Sequence, residues 1–522
     1  LGLVALTDGT YAGAKAAGVR TVKILADWNV VEPQRGQTAW TNLDRAVAAA
    51  VREGLTPVVV LAHTPRWATL GTGADLTRVE VYSRQPPRDV RDWARFAGAV
   101  AARYRGRVRE WQIWTQLGLP QFRGTGSEYV ALLQAGRAAL RAADPSARVA
   151  IATPTGVDLG FITRLAQDVP GAFDAVALAP QGLAPEALLR PLAVLSGRLR
   201  PAGKAIWLDW APETGAGVDR TGSWARVMAV AQAGGVERMF ATDPALIGPD
   251  LRQAASIVLG KPFAGYLVRD PDAYAVIIGG AADAALVAWA TADGRTLELP
   301  GVPPPRATLI TGQAAATETR EGRTFARLGL APVVATGLPV PLIDEARAAA
   351  GRAALVPLVP PDRDFGRSTE VMTRMGRQGE EKGLYNVKYR SRSNGAVEPT
   401  EAAGSEAVKT SVSRQVIYVY FDIDDTFLYF AEGRRPVEIV IEVLGASAPQ
   451  QVGFNLLYDS VGGYRFTPWQ WIEAREGWIT YTIRLNDASM ANTWGWDFAI
   501  NTAGNRAADL VIRSVTVRKG GP

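Results

Sequence analysis

From its start to about Leu259 the chain repeats one beat: a short apolar run, then an amphipathic stretch. The apolar runs are 2-GLVALTD, 20-RTVKILADW, 57-PVVVLAH, 109-REWQIWTQ, 148-RVAIATP, 174-DAVALAP, 205-AIWLDW and 236-VERMFATD. Between them, stretches such as 44-DRAVAAAVREGL, 92-DWARFAGAVAARY and 127-SEYVALLQAGRAALRAA place apolar residues at helical spacing. Eight strand-plus-helix units in about 255 residues predict an α/β domain, a closed parallel (β/α)8 TIM barrel over residues 1–260. An open doubly wound sheet rarely repeats eight times without a break.

After Pro262 the texture changes. The runs 274-YAVIIGG, 284-AALVAWAT, 295-RTLELPG and 332-PVVATG are short, alternating and bounded by Gly and Pro, which predicts a small antiparallel β-sandwich over 261–341. A Pro-, Ala- and charge-rich stretch, 342–367, reads as a linker with helical character at 344-DEARAAAGRAA. Strand patterns return at 415-QVIYVYFDI, 436-PVEIVIEVLG, 452-VGFNLLYDS, 478-WITYTIRL, 496-WDFAINT and 509-DLVIRSVTVRK, predicting a second, jelly-roll-like β-sandwich over 368–522.

Composition removes whole classes of chemistry. With no cysteine there is no disulfide, thiolate metal site or cysteine nucleophile, and one histidine, His63, leaves little room for a His-rich metal site. No metal site is expected in the barrel. The net charge is +6, yet only eight residues are lysine and the arginines are dispersed, so no basic stripe for nucleic acid exists. No apolar run approaches the ~20 residues of a membrane helix. The chain begins at Leu1 without Met, and removal of an upstream signal segment is the expectation, with an extracellular or cell-surface location.

The segment 18–68 carries a specific motif series: Trp28 at a strand end, Glu32-Pro33 and Gly36 in a turn, Trp40 and Asp44, then Thr64-Pro65 with Trp67-Ala68. In this it resembles the clan-A glycoside hydrolases, family 39 type in particular, over most of residues 1–340. The resemblance implies a barrel followed by a small sandwich, with a retaining active site at the strands' C-terminal ends. Such a site needs two carboxylates about 5 Å apart, one as acid/base and one as nucleophile.

Here the sequence departs from the family pattern. Where the family reads I-W-N-E-P-N after strand four, this chain reads 113-IWTQLGLPQF, so the acid/base position falls on Gln116 and the preceding asparagine position on Thr115. An amide supplies no proton to a leaving oxygen, and general acid/base help is worth about 10²–10⁴ in rate. On strand seven, 206-IWLDW puts Trp210 at the nucleophile position and Asp209 one step before it, where a bulge is needed to bring it to the same spot. After strand six, 174-DAVALAPQG puts Ala179 and Gln181 where the family has His and Tyr. Five changed positions of one subsite point to a catalytically inactive pseudoenzyme, with Gln116 and Trp210 as degenerate positions. Asp209 and Glu213 are the fallback catalytic carboxylates, with Asp8, Glu32 and Asp243 also near strand ends. Trp28, Trp67, Trp114, Thr115, Gln116 and Gln181 are the expected substrate contacts in the old cleft.

The last sandwich holds Trp469, Trp471, Trp478, Trp494 and Trp496, five of the chain's fifteen tryptophans. In a strand Trp469 and Trp471 share one face, as do Trp494 and Trp496, which suits stacking on sugar rings. A β-sandwich core uses tryptophan equally well. The cluster 422-DIDDTF offers the carboxylates a Ca²⁺ ion takes, and a charged turn explains it as readily. Three readings follow: a secreted protein that binds or presents carbohydrate without cleaving it, an active hydrolase with displaced carboxylates, or a structural component that self-assembles in a cell-surface layer or filament.

Overall fold

The computed structural model describes residues 1–4, 11–117, 121–180, 182–212, 219–269, 272–292, 294–299, 306–353, 364–387, 397–431, 435–506 and 508–520. It divides into two compact units, residues 1–157 with 165–358, and residues 359–522 with 158–164.

The first unit opens with a closed parallel barrel in sequential order. Its strands are β1 (Gly2–Val4), β2 (Thr21–Asp27), β3 (Thr56–Ala62), β4 (Glu110–Ile113), β5 (Arg148–Thr155), β6 (Ala175–Ala179), β7 (Ala205–Trp210) and β8 (Arg238–Ala241). Helices such as Thr41–Arg52, Val90–Tyr104, Gly126–Ala143 and Arg220–Ala233 separate them. The first of these starts three residues before Asp44, which lies in its first turn and binds Arg103 and Tyr104 instead of capping it. Alternation along each strand sends every second side chain inward. The lumen therefore collects Val4, Val58, Ala150, Ala175, Ala177, Ala205, Trp207 and Phe240. The small alanines of β5 and β6 leave the volume that Trp207 and Phe240 fill, as dense interior packing requires. At the lower, N-terminal end Glu110 accepts from Arg148 and Arg238 at 3.1 and 2.8 Å, closing the barrel floor with ions.

A five-stranded antiparallel sheet and a three-stranded sheet follow the barrel and enclose a core of Leu286, Ile277, Leu299, Ala326 and Val333. The stretch read as a linker from residue 342 is not one at its start. A helix spans Val340–Ala353 and buries Ile343 and Ala346 in that same core. Gly265 permits this contact: a Cβ there would stand 1.8 Å from the Ala346 carbonyl oxygen. The helix is a piece of the small domain because its apolar side finds a sheet to cover.

The second unit is a pair of facing antiparallel sheets. One runs Leu384–Val387, Tyr418–Ile423, Phe498–Asn501, Gly453–Ser460, Gly463–Phe466, with Gln470–Trp471 pairing beside Gly453–Ser460. The other includes Glu370–Arg374, Val437–Leu444, Trp478–Leu485 and Val511–Lys519. Between them lies one large core that includes Phe421, Ile439, Ile441, Phe454, Leu456, Phe498, Ile500 and Val515.

Candidate functional site

The eight barrel strands carry three carboxylates, Glu110, Asp27 and Asp209. Glu110 belongs to the ionic floor. Asp209, fifth of the six residues of β7, faces the lumen, because Trp207 two residues earlier also does. The β7 pairing to both neighbours is regular, so no bulge is needed. Its carboxylate receives the Lys23 ammonium of β2 at 2.5 Å on Oδ1 and 2.7 Å on Oδ2. Lys23 is 2% exposed and Asp209 13%, and the ammonium lies 4.4 Å from the centroid of the Phe240 ring. Burial pushes the Lys23 ammonium below the usual lysine range, and the Asp209 carboxylate pulls the other way.

This overturns the sequence alignment of β7. The sequence pattern puts Trp210 at the inward-facing nucleophile position. It points outward, 4% exposed, and meets Trp224 of the Arg220–Ala233 helix edge-on at 5.1 Å. A period of two allows no compromise: with Trp207 and Asp209 inside, Trp210 belongs to the helix layer.

At the upper end of β2, Asp27 accepts the backbone N–H of Asn29 at 3.0 Å, and its Oδ2 lies 3.2 Å from His63 Nδ1. His63 follows β3 with φ 66°, and Trp114 follows β4 with φ 70°. Left-handed backbone at two bulky residues costs of order 1–3 kcal/mol each, a strain that clusters at sites where side chains must be aimed. The two rings meet edge-on at 5.9 Å. Beyond them Thr115 and Gln116 are half-buried. Gln112, facing inward on β4 and 1% exposed, donates to the Trp114 carbonyl at 2.9 Å, and its Oε1 has no donor among the described residues. The β4 side of the mouth thus presents amides and a hydroxyl, which donate and accept hydrogen bonds without giving up a proton.

Two of the expected aromatic walls are core. Trp28 is fully buried, packed against Trp67, Trp93 and Phe96, with Nε1 donating to Glu32 Oε2 at 2.8 Å. Trp114 is also fully buried, against Trp93 and Phe122, and donates to the Gln121 carbonyl at 3.0 Å. A wall for a sugar must offer a face to solvent, and neither does. Trp67 is half-buried, and the guanidiniums of Arg35 and Arg95 sit 5.6 and 5.9 Å from its ring centroid. Glu32, 1% exposed, accepts from Trp28, the Gly36 N–H and Arg95, so it is a structural pivot under the mouth. Asp243 is exposed and caps the turn Pro244–Leu246. Glu213, Gln181 and Asp8 lie outside the described residues.

In the last domain Trp471 and Trp494 are 43% and 40% exposed, and Trp469 is half-buried edge-on to Trp471. Trp496 was expected among the contacts; at 4% exposure it packs under Tyr420 and Tyr464 and is a buried support. In the acidic stretch, Asp422 accepts from Asn492 Nδ2 and Asp424 from Tyr385 and Thr426. Among the described residues no group of three or more His, Asp or Glu side chains is arranged to hold a metal ion.

Sequence reasoning missed Lys23 and Gln112. The signal was present: a lysine interrupts the apolar run 20-RTVKILADW four residues before Asp27, hence on the same inward face. A charge at an inward barrel position requires a partner.

No protein-family model and no curated protein matches the chain. Among solved structures it is similar to a family 39 glycoside hydrolase from the gut symbiont Bacteroides cellulosilyticus WH2, with 16% identity and a TM-score of 0.51 over 64% of this chain and 80% of that one. A GH30 endoxylanase from Clostridium papyrosolvens C71 matches with 13% identity and a TM-score of 0.44 over 65% of this chain and 94% of that one. A glucosidase from Croceicoccus marinus gives 12% identity and a TM-score of 0.38 over 98% and 92%. The first likeness establishes a shared fold, that of a glycoside hydrolase barrel.

Proposed function

We propose that this glycosidase-fold chain holds carbohydrate at the mouth of its barrel without hydrolysing it. The observation that carries the reading is the Lys23–Asp209 pair. Retaining hydrolysis needs one free carboxylate nucleophile and one protonated carboxyl about 5 Å away. Asp209 is held through both oxygens by a buried ammonium, and the β4 end offers Gln116 where an acid is required. Thr115 and Gln116 are then ligand contacts, reading hydroxyls as amides and hydroxyls do.

The rival reading, an active hydrolase with displaced carboxylates, draws on one fact: Asp209 faces the lumen and keeps some exposure. It requires a second carboxyl as acid, and on the described strands only Asp27 stands at an upper end.

Calorimetric titration with soluble xylo-, cello- and manno-oligosaccharides tests the proposal. Saturable binding of at least one series, weakened by Gln116→Ala and without the drifting heat of turnover, is expected. Absence of binding across all three, or affinity indifferent to Gln116, would sink it.

A further inference from the structure

The two outer faces of the C-terminal sandwich differ in kind. On the sheet containing Val437–Leu444 and Trp478–Leu485, the outward residues pair Glu442 with Arg513 and Glu438 with Arg484, with Thr480 and Thr482 between. That is an ordinary solvated surface. The other sheet is built otherwise.

Along the Gly453–Ser460 strand, Phe454, Leu456 and Tyr458 point into the core. Gly453, Asn455 and Leu457 therefore point out. Register carries that parity sideways, since directly opposed antiparallel residues share a face. Trp471 lies opposite Gly453, Asn501 opposite Asn455, and Phe466 opposite Leu457, while Tyr464 lies opposite Asp459. Trp494 joins this face through Tyr464, their centroids 4.6 Å apart. The three large exposed hydrophobics among the described residues of this unit, Phe466 at 55%, Trp471 at 43% and Trp494 at 40%, thus belong to one outer face. None of them is explained by the core, which lies on the other side of the sheet.

The face also has a built foundation. Trp469 sits over bare backbone: a Cβ at Gly453 would fall 2.3 Å from its Nε1, and one at Gly504 would fall 2.7 Å from its Cη2. Tyr464 is pinned by its hydroxyl to the Trp496 carbonyl at 2.8 Å. Between the aromatic ends, Asn501 donates to Asn455 at 2.8 Å and Asn455 to the Thr467 carbonyl at 3.0 Å, which leaves each amide nitrogen one further hydrogen. From Gly453 to Asp459 the strand spans roughly 20 Å, room for several sugar rings.

We infer that this outer face is a polysaccharide-binding platform: Trp471, Phe466 and Trp494 stack on successive flat pyranose faces, and the Asn455–Asn501 pair meets the hydroxyls between them. Spaced, exposed aromatics with fixed amides fit an extended sugar chain; on the opposite face ion pairs dominate, and Trp478 there lies under the Arg513 guanidinium, 4.9 Å from its ring centroid. The inference shares with the proposed function the premise of a carbohydrate ligand, but it concerns a different surface and stands or falls separately.

The test is retention of the full chain on insoluble cellulose, xylan and chitin, with Trp471→Ala, Trp494→Ala, the double variant and the opposite-face control Thr482→Ala. Wild type is expected to bind at least one of the three. Each single tryptophan change should weaken that binding about tenfold or more, and the double should abolish it. Thr482→Ala, on the opposite outer face, should be retained as wild type is. Near-ultraviolet circular dichroism of the double variant checks folding, and Asn455→Ala offers a milder second probe, expected to weaken retention severalfold. Retention of the double variant at wild-type strength, or no retention of wild type on any of the three, overturns the platform. So does a concentration-dependent dimer of the wild type that the double variant abolishes, since a second copy would then occupy the face. Failure of the soluble oligosaccharides to bind at the barrel mouth leaves this result intact.

Discussion

Replacing Lys23 by Met removes one member of a pair that is 2% and 13% exposed, and leaves the Asp209 carboxylate in a lumen lined by Trp207 and Phe240. Stranding one charge of a buried pair costs about 3–5 kcal/mol, and the residual exposure of Asp209 argues for the lower end. The double variant Lys23→Met with Asp209→Leu restores an apolar lumen of similar volume and is expected within about 1 kcal/mol of wild type, since well-packed apolar replacements of buried pairs are often neutral. By the same argument Asp209→Leu alone strands the Lys23 ammonium at a cost of about 3 kcal/mol or more, so the cycle should give a coupling of about 5 kcal/mol. Urea unfolding followed by far-ultraviolet circular dichroism at pH 8 reads all of this, with the barrel transition taken by itself because the chain is multidomain. A Lys23→Met variant within about 1 kcal/mol of wild type at pH 8, or a double variant as unstable as the sum of its parts, would refute the reasoning.

Three further outcomes follow from particular contacts. Trp210→Ala should cost about 3–5 kcal/mol by opening a cavity against Trp224 while leaving oligosaccharide affinity unchanged, which calorimetry on the folded variant would check. Glu32→Ala leaves Trp28, Gly36 and Arg95 without their common acceptor and should lower barrel stability by about 3 kcal/mol in chemical denaturation. Asp459, 2% exposed, is pushed up to about 7 by burial, with the Ala491 N–H opposing. Its folded pKa exceeds the unfolded value, so the stability it lends is present below about pH 4 and lost as pH rises through 7, by about 4 kcal/mol. The C-terminal domain should therefore melt higher at pH 5 than at pH 8 in calorimetry, and Asp459→Asn should flatten the difference.

Much of this was legible in the sequence because periodicity is a local property. The barrel, the two sandwich-like domains and the clan-A-like turn at Glu32 follow from alternation, Gly and Pro placement and a motif series. Side-chain parity at strand ends was harder. The alignment put Trp210 inward because it counted from the family pattern. The fold put Asp209 inward because Trp207 fills the lumen two residues earlier, and a residue count cannot choose between the two without knowing which side chain the interior accepts. The tryptophans divided for the same reason. Trp28, Trp114 and Trp496 are buried and Trp471 and Trp494 exposed, although all read alike as aromatics near turns. Residues 342–353 read as linker because a helix rich in Ala and charge shows its sheet contact only when the sheet is present.

The most direct test of the central claim is reducing-end release from a broad polysaccharide panel by the wild-type chain beside Gln116→Glu. The account predicts no turnover from either, because restoring a carboxyl at β4 still leaves Asp209 held by Lys23. Sustained release by the wild type would contradict it.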